Sequence, residues 1–151
     1  MPIDPVSLSE HLIPTISRAT KCLTVLIEKR LSTSDVDLTL KQFILLHRVS
    51  EEGRTQSELA LITERDKGSL TRLIQSLERK DFVKRASSIS DRRINIVEAT
   101  PTGLRAMKRA QKVVVKVFDE LTEQLSERES KAMIRTAKKL MARSIELIDR
   151  P

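Results

Sequence analysis

The chain has 151 residues, enough for one domain with a real core, and 39% of them are hydrophobic, which argues against wholesale disorder. Its 3 glycines, 5 prolines and 3 aromatic residues, all Phe, are fewer than a β-sandwich or barrel normally carries. The formal net charge is +7, the single cysteine excludes an intrachain disulfide, and no apolar run approaches the roughly 18 residues of a membrane span. The start, Met1 to Pro5, lacks the basic and apolar regions of a signal peptide, so a cytoplasmic location is expected.

Residues 1–6 form a short arm with two prolines. A long helix is then expected from about Ser7 to Leu31, with Leu8, Leu12, Ile16, Ala19, Leu23, Leu26 and Ile27 on one stripe. Pro14 inside it predicts a kink, or a start near Ile13, because proline removes a donor and restricts the residue before it. The next helix is expected over Leu38–Val49, with Thr39 as N-cap and Gly53 placed for a left-handed C-cap. Thr55-Gln56-Ser57-Glu58 is a capping box that opens a third helix, whose apolar side is Leu59, Ala60 and Ile62.

Thr63–Asp66 makes a turn, and Asp66 can cap a fourth helix running to Lys80. Leu70, Leu73, Ile74 and Leu77 line its apolar stripe, and Lys67, Ser69, Thr71, Arg72, Gln75 and Arg79 look the other way. Gly68 in its first turn weakens the helix by up to about 1 kcal/mol relative to Ala. It either admits close approach of a protein or phosphate backbone, or is tolerated near a helix end. Phe82–Ala86 and Ile94–Ala99 read as antiparallel strands joined by the polar loop Ser87–Arg93, a ribbon that must pack on the helices to be stable. Thr100 and Pro101 are the N-cap and N1 of a helix reaching about Leu125, with Leu104, Met107, Val114, Val117, Phe118, Leu121 and Leu125 on its face. Ser126 and Glu129 form another capping box for a last helix with Met133, Ile134, Ala137, Leu140, Met141, Ile145 and Ile148 on one side.

Charge is uneven along this plan. Residues 1–53 sum to −1, whereas 54–105 and 106–151 each sum to +4. Arg65–Arg93 holds 9 basic and 4 acidic residues, the footprint of a surface for a polyanion, although a charge run is often only a solvated face. Helix, turn, helix and basic ribbon together read as a winged helix-turn-helix for DNA. The long first helix and the last two have more apolar stripe than so small a unit can cover. A second copy of the chain would cover it; a monomeric bundle is the competing arrangement. Two-fold symmetry would set two recognition helices about 34–36 Å apart on a pseudo-palindromic operator.

Gln56-Ser57-Glu58-Leu59-Ala60, Ser69–Ile74, Leu77-Glu78-Arg79-Lys80, Val83-Lys84-Arg85, Ser90-Asp91-Arg92-Arg93 and Thr100-Pro101-Thr102-Gly103 occur in that order and spacing. In this the chain resembles the multiple antibiotic resistance regulator (MarR) family of bacterial transcription factors, over nearly its whole length. The resemblance implies a mainly α (α+β) fold, a winged helix-turn-helix with long N- and C-terminal helices forming a dimerisation core. It implies one domain over 1–151, with dimerisation helices at 7–33 and 101–150, the winged unit at 38–100, the helix-turn-helix at 55–80 and the wing at 82–99. It also implies a triangular homodimer, with helix Asp66–Lys80 in the major groove and Arg93 of the wing's Asp-x-Arg in the minor groove. The sequence departs from the family at Asp81, where Gly is frequent, and at Ala99, where Leu is frequent.

The expected DNA-binding residues are Lys67, Gly68, Ser69, Thr71, Arg72, Gln75 and Arg79 on the helix, and Ser90, Asp91, Arg92 and Arg93 on the wing. Thr71, Arg72 and Gln75 suit base edges, since Arg pairs bidentately with guanine and Gln with adenine. Lys67, Ser69 and Arg79 suit phosphates, which position without specifying. Arg93 suits a narrow minor groove, and Asp91 would orient it through a charge-assisted hydrogen bond. Cys22 is expected to be a small buried hydrophobe; a thiol-based redox sensor through Cys22 is the alternative, for which the tyrosines of redox-sensing relatives are lacking. His47 reads as a satisfied helix histidine, and His11 is too distant in sequence to argue a pair with it. No catalytic constellation, metal-ligand spacing or cofactor motif is present, so no enzyme, metal or cofactor is expected. The function expected is a dimeric, sequence-specific transcriptional regulator, a repressor released by a small aromatic or phenolic effector of the kind the family binds. A winged-helix protein-interaction module is the alternative of a different class.

Overall fold

The protein is seen in a computed structural model that describes residues 5–63, 65–87 and 95–149. Helix α1 runs Pro5–Ser32 without a break at Pro14, so the option of a start near Ile13 does not hold. An interior proline costs about 3 kcal/mol, but it removes one backbone bond from a helix of 28 residues. Among the described side chains of α1, those of the last turns reach the core, through Ile27 and Leu31; Leu12, Ile13 and Ile16 are exposed.

Helix α2 spans Leu40–Glu51, two residues later than expected at its start, because Thr39 is the N-cap and accepts from the Gln42 backbone. Leu38 and Phe43 then take the N′ and N4 positions of a hydrophobic staple, and both are buried. The expected left-handed cap at Gly53 is not formed: Glu52 caps in an extended conformation and no described glycine has a positive φ. The chain instead passes directly into a strand. Gly53 is needed there for space, since a Cβ would lie 2.9 Å from Glu98 Cγ and 3.1 Å from Ile96 Cδ1.

That strand, β1 (Arg54–Thr55), makes the expected two-stranded ribbon a three-stranded antiparallel sheet with β2 (Val83–Ser87) and β3 (Asn95–Ala99), in the order β1-β3-β2. Its register sets Arg54 opposite Val97 and Thr55 opposite Ile96, and Val83 opposite Ala99 on the other side. Two residues are too few to show alternation, and Thr55 also serves the capping box of α3 (Gln56–Thr63), which hid the strand. Helix α4 follows over Lys67–Arg79, then α5 over Pro101–Thr122 and α6 over Glu127–Ile148. α5 stops short of the expected Leu125, whose N–H turns back to Thr122 O.

The chain divides into two compact units, Met1–Val114 and Val115–Pro151. In the first, Leu45, Leu46, Leu59, Leu70, Ile74 and Leu77 are wholly buried, so α2, α3 and α4 share one core with the sheet. In the second, α6 has no buried residue at all. Asp81 has φ 56°, in the left-handed region that glycine adopts without cost, which accounts for glycine being frequent there; Asp is among the few other residues that visit it. Gly103 sits where the first turn of α5 meets the residue that leads into β2: a Cβ would come within 2.0 Å of Phe82 O.

Candidate nucleic-acid interface

α4 owes its pose to several anchors. Along its inner side Leu70, Ile74 and Leu77 have no exposure, the apolar stripe that the spacing predicts, while Leu73 is half-buried. At its start the Asp66 carboxylate accepts from Ser69 N at 2.8 Å. That backbone N–H is the main reason the Asp66 carboxyl is held below its ordinary range; the Gly68 amide and the Arg72 charge act the same way. Glu58 at the head of α3 is lowered likewise, chiefly by the Thr55 backbone N–H, which donates to it at 2.7 Å. Thr55 Oγ1 accepts from Glu58 N at 3.2 Å, completing the expected capping box.

The outward side of α4 carries the expected residues. Lys67, Gly68, Arg72, Gln75 and Arg79 are exposed, and Ser69 and Thr71 are half-buried. Lys67, Arg72 and Arg79 form no ion pair among the described residues. Three neighbouring cations are engaged instead. Arg85 pairs with Glu78 at 3.0 Å, Lys84 with Glu98 at 3.4 Å, and Lys80 with Asp37 at 2.8 Å. A count of charge along the chain does not separate these groups; the partners do. A Cβ at Gly68 would meet only Asp66 Oδ1, at 3.3 Å, so close approach of a protein backbone is not why glycine stands there.

Thr71 is more constrained than the sequence suggests. Its hydroxyl donates to Lys67 O at 2.8 Å and accepts from Gln56 Nε2 at 2.6 Å, leaving a methyl and one lone pair for a ligand. Gln56, in the first turn of α3, therefore belongs to the same surface. Reading the capping box for its ends, Thr55 and Glu58, passed over the residue between them. The wing residues Ser90, Asp91, Arg92 and Arg93 lie outside the described residues.

Two longer-range bonds fix the far end of α4. The buried Gln42 of α2 donates from Nε2 to Ser76 Oγ at 2.9 Å, and its Oε1 accepts from Lys80 Nζ at 3.2 Å. Other features do not build a site. Cys22 is exposed in the single chain rather than buried, because the middle of α1 stands clear of the core. His47 lies edge-on to Phe43 with ring centroids 6.0 Å apart. Among the described residues there is no metal-binding cluster of His, Cys, Asp and Glu, and no helix is long and apolar enough to cross a membrane.

A helix with a buried apolar stripe and an unpaired cationic row, backed by a three-stranded sheet, is the arrangement of a winged helix-turn-helix, and the comparisons agree. The family model described as "MarR family" matches residues 36–94. BldR of Sulfolobus solfataricus has a similar structure, with TM-score 0.80, 25% identity and coverage of 93% of this chain and 99% of that one. Residues 36–94, the winged helix-turn-helix, are thus similar to the MarR family.

SarZ of Staphylococcus aureus is 29% identical over 119 residues, covering 77% of this chain and 78% of SarZ. A protein of Thauera aromatica named for transcriptional regulation of its hcr operon is 30% identical over 94 residues, 62% of this chain but only 57% of that relative. A mutant MarR of E. coli in complex with operator DNA matches with TM-score 0.77, 26% identity and coverage of 91% and 98%.

Proposed function

We propose that this chain is a homodimeric, sequence-specific DNA-binding regulator of the MarR family, a repressor released by a small molecule. The observation that carries the reading is the outward row of α4: Lys67, Arg72, Gln75 and Arg79 are exposed, and their cations have no ion-pair partner among the described residues. Such groups are held ready for an anion outside the chain. The related MarR–operator complex supports the same role for this surface.

In this reading Arg72 and Gln75 reach base edges, with the Thr71 methyl beside them, and Lys67, Ser69 and Arg79 grip phosphates while Gly68 lets the backbone come close. The wing supplies Ser90, Asp91, Arg92 and Arg93, with Arg93 in the minor groove. Arg72→Ala and Arg93→Ala test the assignment by fluorescence anisotropy on a selected duplex and its single-base variants. Each should lose about 1–3 kcal/mol of discrimination; wild-type discrimination in both would remove these residues from the site.

Dimerisation rests on uncovered apolar surface. On α6, Met133, Ile134, Met141, Ile145, Leu147 and Ile148 are each more than half exposed, and α1 shows Ile13 and Val25 in the same condition. A second copy is the economical cover, with 7–33 and 101–150 as its helices and the winged unit at 38–100. Sedimentation equilibrium at micromolar concentration should give twice the chain mass; the mass of a single chain would refute it. For release, a cavity of about 690 Å³ lies beside the segment between α1 and α2, within the roughly 300–1,000 Å³ usual for ligands. Glu28, Asp35 and Asp37 line it without any basic side chain, so a neutral phenol suits it better than a carboxylate. A thermal-shift panel of both classes, repeated in the presence of the duplex, tests this.

A further inference from the structure

The apolar contacts under α4 are non-directional: they hold the helix down but do not fix its rotation or its slide along its own axis. Directional contacts do that, and at the C-terminal end of α4, beside the Glu78–Arg85 pair, several of them meet at one side chain. Gln42 is 6% exposed and has every strong contact accounted for. Its Nε2 donates to Ser76 Oγ at 2.9 Å, and its Oε1 accepts from Thr39 N at 3.1 Å and from Lys80 Nζ at 3.2 Å. Lys80 Nζ completes its set on the same loop, donating to Asp37 O at 2.9 Å and Asp37 Oδ1 at 2.8 Å. The Ser76 proton is already spent on Leu73 O at 2.7 Å, so Ser76 can only accept from its partner. An amide is therefore the fitting group at position 42, offering a donor to Ser76 and an acceptor to Lys80 at once.

We propose that Gln42, with Lys80 and Asp37, is a positioning assembly that sets the DNA-reading pose of α4 and couples it to the loop between α1 and α2. The proposal rests on the DNA-binding reading above. In it Lys80, although basic and at the end of the recognition helix, does not hold a phosphate; its charge is consumed inside the protein. Displacement of Asp37 or Thr39 must then break these bonds or carry Ser76 and Lys80 along. Base contacts, which depend on angle, suffer more from such a shift than phosphate contacts do.

The test uses the full chain, wild type and as Gln42→Leu, Lys80→Met and the double variant, with a duplex selected by the wild-type protein from a random pool. Two quantities are read: the ratio of affinity for that duplex over random DNA, and hydrogen exchange of the backbone amides of residues 76–80 in the free protein. Each single variant should lower the ratio by about 2–30-fold, leave the salt slope on random DNA unchanged, and speed the exchange. The double variant should be no worse than the poorer single one, because both break one assembly. Gln42→Glu keeps the acceptor contacts and loses the donor, so it should fall between wild type and Gln42→Leu. A purely structural role would lower the unfolding temperature with the ratio intact in the folded fraction, and that result overturns the proposal, as does unchanged exchange. A wild-type protein that does not prefer any duplex over random DNA sinks the DNA-reading function instead, and the exchange data still decide whether the tie exists.

Discussion

Gly103→Ala adds one methyl group at a helix start, where alanine would normally be the better residue by about 1 kcal/mol. Here the new Cβ would stand 2.0 Å from Phe82 O, 2.8 Å from Phe82 C and 3.0 Å from Phe82 Cα. All three are backbone atoms, so no rotamer change relieves the overlap. To restore even a 3.0 Å separation from the carbonyl oxygen, the start of α5 and the backbone entering β2 must part by about 1 Å. Two bonds cross that junction: Thr100 N to Phe82 O at 3.0 Å and Thr100 Oγ1 to Asp81 O at 2.5 Å. Stretching both forfeits about 1 kcal/mol each, and overpacking itself costs about 1–3 kcal/mol. After the helix-propensity gain is set against these, the net loss is about 2–4 kcal/mol. Urea unfolding followed by circular dichroism should show a lower midpoint at unchanged slope. Gly68→Ala is the milder comparison, since its Cβ meets only one side-chain atom, Asp66 Oδ1, at 3.3 Å, and it should cost far less than Gly103→Ala. A Gly103→Ala protein as stable as wild type would refute the close-approach argument.

Other outcomes follow from single contacts. Asp81, at φ 56°, should tolerate Asp81→Gly with little change in urea midpoint, whereas Asp81→Val should lose about 1–2 kcal/mol or more. The carboxyls of Glu58, Asp66 and Glu129 are all held low, by the Thr55 backbone N–H, the Ser69 backbone N–H and the Ser126 hydroxyl respectively. Their folded values lie below their unfolded ones, so the stability they add is complete above the ordinary carboxylate range, about pH 4, and is lost as pH falls through the depressed values. The urea midpoint should drop in that window, and the triple amide variant should flatten the drop. Folded Gly68→Ala protein should bind DNA more weakly in titrations if phosphate approaches the backbone there; unchanged binding would mean the glycine is merely tolerated.

Helix positions were legible because their signals are local. The boxes Thr55/Glu58 and Ser126/Glu129, the cap at Thr39 and the stripe Leu70-Leu73-Ile74-Leu77 each lie within a few residues of chain, and each is where the pattern put it. What escaped the sequence depends on partners far along the chain. β1 is defined by pairing with residues about forty positions away, and Gly53 by the room that Ile96 and Glu98 leave, not by its own φ. Lys80 shows the same limit at the candidate site: charge counting places it with Arg79, while Asp37 and Gln42 take it out of play. Gln56 joins the surface only through Thr71, fifteen residues on.

The central claim is that the exposed cations of α4, together with Arg92 and Arg93 of the wing, are there for duplex DNA. Affinity for a selected duplex and for random duplex, measured from low to physiological salt, tests it most directly. The account predicts a log–log slope near −0.9 for each phosphate neutralised, less steep by about 1 in Lys67→Ala or Arg79→Ala, and a preference for the selected duplex of about 10³-fold or more. Affinity that ignores salt, or equal binding to both duplexes, would contradict it.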